Sequence, residues 1–154
     1  MPEQQRAKLA ANARTILLVE DEASLRKLTR KTLLDMGYVV LEAGNAEEAI
    51  RLANTSSGAI HVLLTDVIMP GMSGGDLAKK LSAELPGLRV LFMSGYTDGA
   101  IEVRGNLKAG LVVLRKPFTR DVLLRAIEDA ITAPANPAES DESSTPTAAH
   151  TVAN

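Results

Sequence analysis

Five short apolar runs, separated by amphipathic stretches, constrain this chain more than any other feature. The runs are Thr15–Val19, Tyr38–Glu42, Ile60–Thr65, Arg89–Met93 and Leu111–Leu114. Each is too short for a helix, and most are rich in Val, Ile and Leu without alternation, as in strands covered on both faces. Helical periodicity fills the gaps. Leu25, Leu28, Thr32 and Met36 share a face in the first segment, and Ala46, Ala49, Ile50 and Ala53 in the second. Leu77, Ala78, Leu81 and Leu85 do so in the third, which Pro86 closes. The last carries Val122, Leu123, Ala126, Ile127 and Ala130, with Thr119 as N-cap. The fourth, Thr97 to Lys108, is the weakest, because Gly99 and Gly105 each cost about 1 kcal/mol relative to Ala in a helix. Five such units predict a parallel sheet wrapped by helices on both sides. In sheets of that kind, functional residues gather at the carboxyl ends of the strands.

The pattern occupies residues 14–132 of 154. Residues 1–13 read as a polar extension. Residues 133–154 are rich in Pro, Ala, Ser and Thr, and too poor in large apolar side chains to offset the entropy of ordering, so the expectation is a disordered tail. A net charge of -2 gives no basic footprint for nucleic acid, and two Phe, two Tyr and no Trp give no stacking platform for single strands. The absence of cysteine excludes disulfides, cysteine zinc sites and thiol catalysis. No apolar run is long enough to span a bilayer, and the expected setting is cytoplasmic without a membrane partner.

The strand ends carry the chemistry. The first run leads into Glu20-Asp21-Glu22, the third into Asp66, the fourth into Ser94-Gly95 and the fifth into Lys116-Pro117. Carboxylates gathered on one rim repel one another unless a cation is present, and hard oxygen ligands at a shallow site suit Mg²⁺. Lys116 supplies a point charge fitted to a phosphoryl oxygen, and Ser94 a hydroxyl for another. Asp66, central among them, is then placed as a carboxylate nucleophile that forms an aspartyl phosphate. Each residue alone has an ordinary structural reading: Glu22 favours a helix N-terminus, Asp66 and Ser94-Gly95 suit turns, and Lys116 is a solvated charge. The signal is the set in order. His61 and His150 lack metal-ligand spacing, and the glycines after Pro70 are not followed by the Lys-Ser/Thr of a phosphate-binding loop.

These residues give the chain a resemblance to the receiver domains of bacterial response regulators and hybrid histidine kinases. ILLVEDEASLRKLTRKTLLDMGYVVLEAGNAEEAI is similar to the family's opening strand, acidic pair, first helix and second strand. LLTDVIMPGMSGGDL resembles its phosphorylation segment, VLFMSGYTD its fourth strand with the switch hydroxyl, and LRKPFTRDVLLRAI its Lys-Pro-Phe segment. The resemblance covers about Thr15 to Ile131. It implies a flavodoxin-like, doubly wound α/β fold with a five-stranded parallel sheet of order 2-1-3-4-5 and five helices. It also implies Asp66 as phospho-acceptor, Asp21 as direct Mg²⁺ ligand, Glu20 acting through water, and the backbone carbonyl of Ile68 completing the set. Ser94 would be the switch hydroxyl, Lys116 the phosphoryl-binding lysine, and the Lys116-Pro117 bond cis.

One position departs from the family pattern: Val113 stands where an aromatic switch residue is frequent, with Tyr96 a nearby substitute. The implied role is phosphorelay signalling rather than conventional catalysis. The phosphoryl group would come from a sensor histidine kinase or a histidine phosphotransfer protein. A downstream protein would read the face built by strands four and five with helices four and five. Two other classes remain in play. An aspartyl phosphohydrolase would want a second Asp two residues after the nucleophile, where this chain has Ile68. A binding-only pseudo-receiver would lack one of the acidic residues, the Asp or the Lys, and this chain has them all.

Overall fold

The computed structural model describes residues 13–56, 58–95 and 112–132. In chain order the elements are β1 (Thr15–Val19), α1 (Ala23–Asp35), β2 (Val39–Ala43), α2 (Ala46–Thr55) and β3 (Val62–Asp66). There follow α3 (Gly74–Glu84), β4 (Arg89–Ser94), β5 (Val112–Arg115) and α4 (Arg120–Thr132). The five strands form one parallel sheet of order 2-1-3-4-5, as the sequence implies. Four helices lie among the described residues. The fourth helical segment of the sequence, Tyr96, His150, the N-terminal extension through residue 12 and the tail all lie outside them.

Alternate residues of each strand feed two cores, one per face, which is why the strand sequences read as unbroken apolar runs. Leu17, Val19, Leu63 and Phe92 pack with Ala46, Ala49, Leu77 and Leu81 of α2 and α3. Ile16, Leu18, Val62, Leu64, Leu91, Met93 and Leu114 pack with Leu33 of α1 and with Leu123 and Ile127 of α4. At about 25 cal/mol per Å² of apolar surface removed from water, these two layers are the main favourable term. Side-chain caps start the helices where the sequence changes character. Asn45 accepts from Glu48 N–H, Ser73 from Asp76 N–H, and Thr119 from Val122 N–H.

Two helix faces differ from the periodicity reading. Leu28 is 61% exposed, whereas Leu33, outside the expected stripe, is fully buried. The helix is rolled so that Leu25, Thr29, Leu33 and Met36 face inward, leaving Leu28 on the flank of a groove shared with α4. Val122 is likewise 48% exposed while Leu123 takes the buried position beside it. Asp66 and Ser94 are the last residues of β3 and β4, at the strand ends where the sequence reading puts them.

Candidate functional site

The parallel register brings four strand ends to one rim. Asp66 ends β3 beside Met93 of β4, so Ser94 projects one residue beyond it. Lys116 follows β5 directly, and its N–H donates to Ser94 O at 2.8 Å. Glu20 follows β1, where its N–H bonds to Ala43 O at 3.1 Å. Glu20, Asp66 and Ser94 are buried, and Asp21 is exposed. Polar side chains buried at strand ends cost free energy unless partnered, so their contacts carry information.

Lys116 Nζ bridges the two buried acids, 2.8 Å from Glu20 Oε1 and 2.7 Å from Asp66 Oδ1. The first contact is a hydrogen bond. The second is a charge contact only, because Asp66 Oδ1 makes no hydrogen bond of acceptable geometry. Asp66 Oδ2 accepts the Asp21 N–H at 3.3 Å, and Glu20 Oε2 accepts the Glu22 N–H at 3.2 Å.

These contacts divide the charge unequally. Burial pushes the Asp66 carboxyl up, the adjacent Glu20 pushes it further, and together they outweigh Lys116 to place it at about 8. Burial acts on Glu20 too, but its bonds to Asp66, Lys116 and the Glu22 N–H win and hold it below the ordinary range. Burial would lower Lys116, yet the two carboxyl groups beside it raise it. The balance favours a proton on Asp66 over one on Glu20, and a divalent cation at the cluster would oppose it.

The residues fit a divalent cation. Carboxylate oxygens of Glu20, Asp21 and Asp66 lie within 4.8 Å of one another, among the described residues the one such acidic group that also holds a buried oxygen with no hydrogen bond. An all-oxygen donor set with one open side matches Mg²⁺, which keeps several of its waters. Ile68 follows Asp66 by two residues in the β3–α3 loop, with its side chain 42% exposed.

Of the residues singled out in the sequence, Glu20, Asp21, Asp66 and Lys116 touch one another, and Ser94 and Ile68 flank them. Glu22 occupies the N-cap of α1 without capping it through its side chain. The Lys116–Pro117 bond is cis. Val113 is half-buried against the Phe92 layer. His61 sits at the opposite end of β3, accepting the Thr15 N–H on Nδ1 at 2.9 Å, so its role is structural.

Three further residues shape the rim: two glycines of the turn that the sequence places over it, and an arginine that the sequence does not single out. Gly74 opens α3 so close to β3 that a Cβ there would overlap the Asp66 carbonyl oxygen and lie 2.8 Å from its carbonyl carbon. Gly71, at φ 83°, takes the turn conformation after Pro70 that leads the chain back to that contact. Arg26 donates from Nη1 to Glu20 O at 2.9 Å. The Ser-Gly-Gly opening of α3 is a signal for the first. Nothing in a sequence marks an arginine whose partner is a main-chain carbonyl.

Comparison with known proteins agrees with this geometry. A model of the response regulator receiver domain matches residues 16–128. The chain is 32% identical over 117 residues to the sensor kinase CckA of Brucella abortus, covering 76% of this chain and 12% of that protein. It is 37% identical over 119 residues to a chemotaxis protein CheY homolog of Campylobacter jejuni, covering 75% of this chain and 91% of that one. A response regulator receiver protein from Sinorhizobium medicae superposes with a TM-score of 0.70 at 30% identity, covering 79% of this chain and 96% of the other. Some relatives are far longer: the chain spans 12%, 28% and 31% of three of them. Among the described residues no helix is long and apolar enough to cross a membrane.

Proposed function

The chain belongs to the response regulator receiver domain family, a family of phospho-acceptor modules of two-component signalling, and we propose that Asp66 is its acceptor. The observation that carries this reading is the contact of one lysine with two buried acids, Glu20 after β1 and Asp66 at the end of β3, with Asp66 Oδ1 left without a hydrogen bond.

In the proposed reaction an Asp66 carboxylate oxygen attacks the phosphorus of a phosphohistidine. The new O–P bond forms as the P–N bond breaks, and the departing imidazole nitrogen takes up a proton. The Asp66 proton must leave first, since only the carboxylate is nucleophilic. Glu20, Asp21, Asp66 and the Ile68 carbonyl would hold Mg²⁺, which supplies positive charge against the transferring phosphoryl oxygens. Lys116 keeps its charge at the same place. Ser94 donates its hydroxyl to a phosphoryl oxygen, and that bond draws the start of the β4–β5 connection toward the site.

The donor would be a sensor histidine kinase or a histidine phosphotransfer protein, and the output a change of protein contacts on the face built by β4 and β5 with α4 and the fourth helical segment of the sequence. With Val113 in β5 there is no aromatic side chain at that position to swing inward, so Ser94 carries the signal without it. An aspartyl phosphohydrolase reading is disfavoured because Ile68, apolar and half-exposed, stands where the general acid would be.

Intact mass after incubation with Mg²⁺ and acetyl phosphate tests the reading. The wild type gains one phosphoryl group and Asp66→Asn gains none. Equal labelling of both proteins, or labelling of neither, contradicts it.

A further inference from the structure

We propose that Arg26 is a positioning residue for the phospho-acceptor, acting through the peptide group that joins Glu20 to Asp21. The proposal rests on the reading of Asp66 as acceptor. That peptide is trans, so its C=O and N–H point in opposite directions. Its oxygen accepts a hydrogen bond from Arg26 Nη1 at 2.9 Å, and its N–H is aimed at Asp66 Oδ2 at 3.3 Å. One peptide dipole therefore connects a guanidinium on α1 to the carboxylate on β3. A cation at the oxygen end polarises the group and strengthens the N–H as a donor. It also fixes the plane of the peptide, and with it the direction in which the Asp21 side chain leaves the main chain.

Arg26 also makes contacts on β2, away from the site. Its Nε lies 3.4 Å from Glu42 Oε1, and Arg30 shares the same carboxylate at 3.0 Å. Its Nη1 lies against Gly44, where a Cβ would approach to 3.1 Å, so the lack of a side chain there leaves room for the guanidinium. Gly44 is in turn held by its N–H on Glu48 Oε1 at 2.8 Å. The arginine side chain is 24% exposed, unlike Lys31 on the same helix, whose pair with Asp35 is open to water on both sides. A surface pair of that kind contributes little. The plainer role for Arg26 would be to tie α1 to β2 through Glu42. The two roles separate because only the Glu20 carbonyl leads to the site.

The test compares Arg26→Gln with Glu42→Gln by amide NMR, first without metal and then during Mg²⁺ titration. Arg26→Gln moves the Asp21 amide proton upfield and weakens Mg²⁺ binding about tenfold, the size seen when groups that orient a ligand are lost. Arg26→Lys, which keeps one charged donor, restores part of both. Glu42→Gln lowers thermal stability but leaves the Asp21 amide in place and Mg²⁺ affinity within about twofold of wild type. The proposal is overturned if Arg26→Gln leaves the amide and the affinity unchanged, or if Glu42→Gln alters both as much. Acetyl phosphate labelling of the same samples separates the two claims. If the amide and Mg²⁺ respond as expected but no protein takes a phosphoryl group, the acceptor reading fails, and Arg26 is left as a positioning residue for the acidic cluster alone.

Discussion

Lys116 Nζ lies 2.7 Å from Asp66 Oδ1, yet that oxygen accepts no hydrogen bond from it. The ammonium is aligned instead on Glu20, to which it donates at 2.8 Å. The lysine thus hydrogen-bonds one buried acid and makes a charge contact with an oxygen of the other. Such a contact has its largest effect when charge appears on a group bound between them.

Removing Lys116 tests that division. Lys116→Met leaves Glu20 buried without its cation, and breaking one partner of a buried pair costs about 3 kcal/mol. Urea unfolding of the metal-free protein reads this loss. Labelling by acetyl phosphate is expected to slow by about 10²-fold, the size of one missing electrostatic contact to a transferring group. A variant as stable and as readily labelled as wild type would remove Lys116 from the account.

The raised Asp66 carboxyl predicts an unusual dependence on pH. Unfolded, Asp66 loses its proton near its ordinary 3.8, and folded it keeps the proton to about 8. Across that window the folded state binds more protons, so without metal the Asp66 contribution falls as pH rises. Glu20 acts only below its ordinary 4.5, where its lowered value favours folding as pH increases, and Lys116 acts only near or above 10.5. His61, lowered from 6.5 by burial, works in the opposite direction on the acid side. Subtracting Asp66→Asn from wild type removes the His61 effect. In EDTA the melting temperature of Asp66→Asn minus that of wild type should widen between about pH 5 and pH 8, and Mg²⁺ should narrow it. A difference that is constant or shrinks with pH would contradict the arrangement.

Most of this architecture was legible because strands covered on both faces announce themselves as apolar runs. Glu20, Asp66 and Lys116 stood out because a parallel sheet puts all strand ends on one rim. The roll of α1 was not legible. Periodicity places Leu28 in the stripe and leaves Leu33 out, and packing of α1 against the sheet decides that Leu33 goes in. Arg26 was invisible because at the site it meets main chain rather than a side chain, and main chain leaves no mark in a sequence.

Gly74 gives a stability prediction with an internal control. Gly74→Ala forces the Asp66 carbonyl away from α3, and overpacking of this kind costs about 1–3 kcal/mol. Because the displaced atoms belong to the acceptor, labelling by acetyl phosphate drops as well. At Gly87 a Cβ would meet nothing within 4 Å. Gly87→Ala should be neutral or stabilising by about 0.5 kcal/mol, through the unfolded chain. Denaturant unfolding of the pair checks this, and equal costs at both positions would refute it.

The most direct test of the central claim locates the phosphoryl group. An aspartyl phosphate reacts with hydroxylamine to leave a hydroxamate on the acceptor, and peptide mass spectrometry identifies the residue that carries it. After treatment with Mg²⁺ and acetyl phosphate, the account predicts a hydroxamate at Asp66 and at no other residue. A hydroxamate at Asp21 or Glu20, or none in a protein that has gained phosphoryl mass, would contradict it.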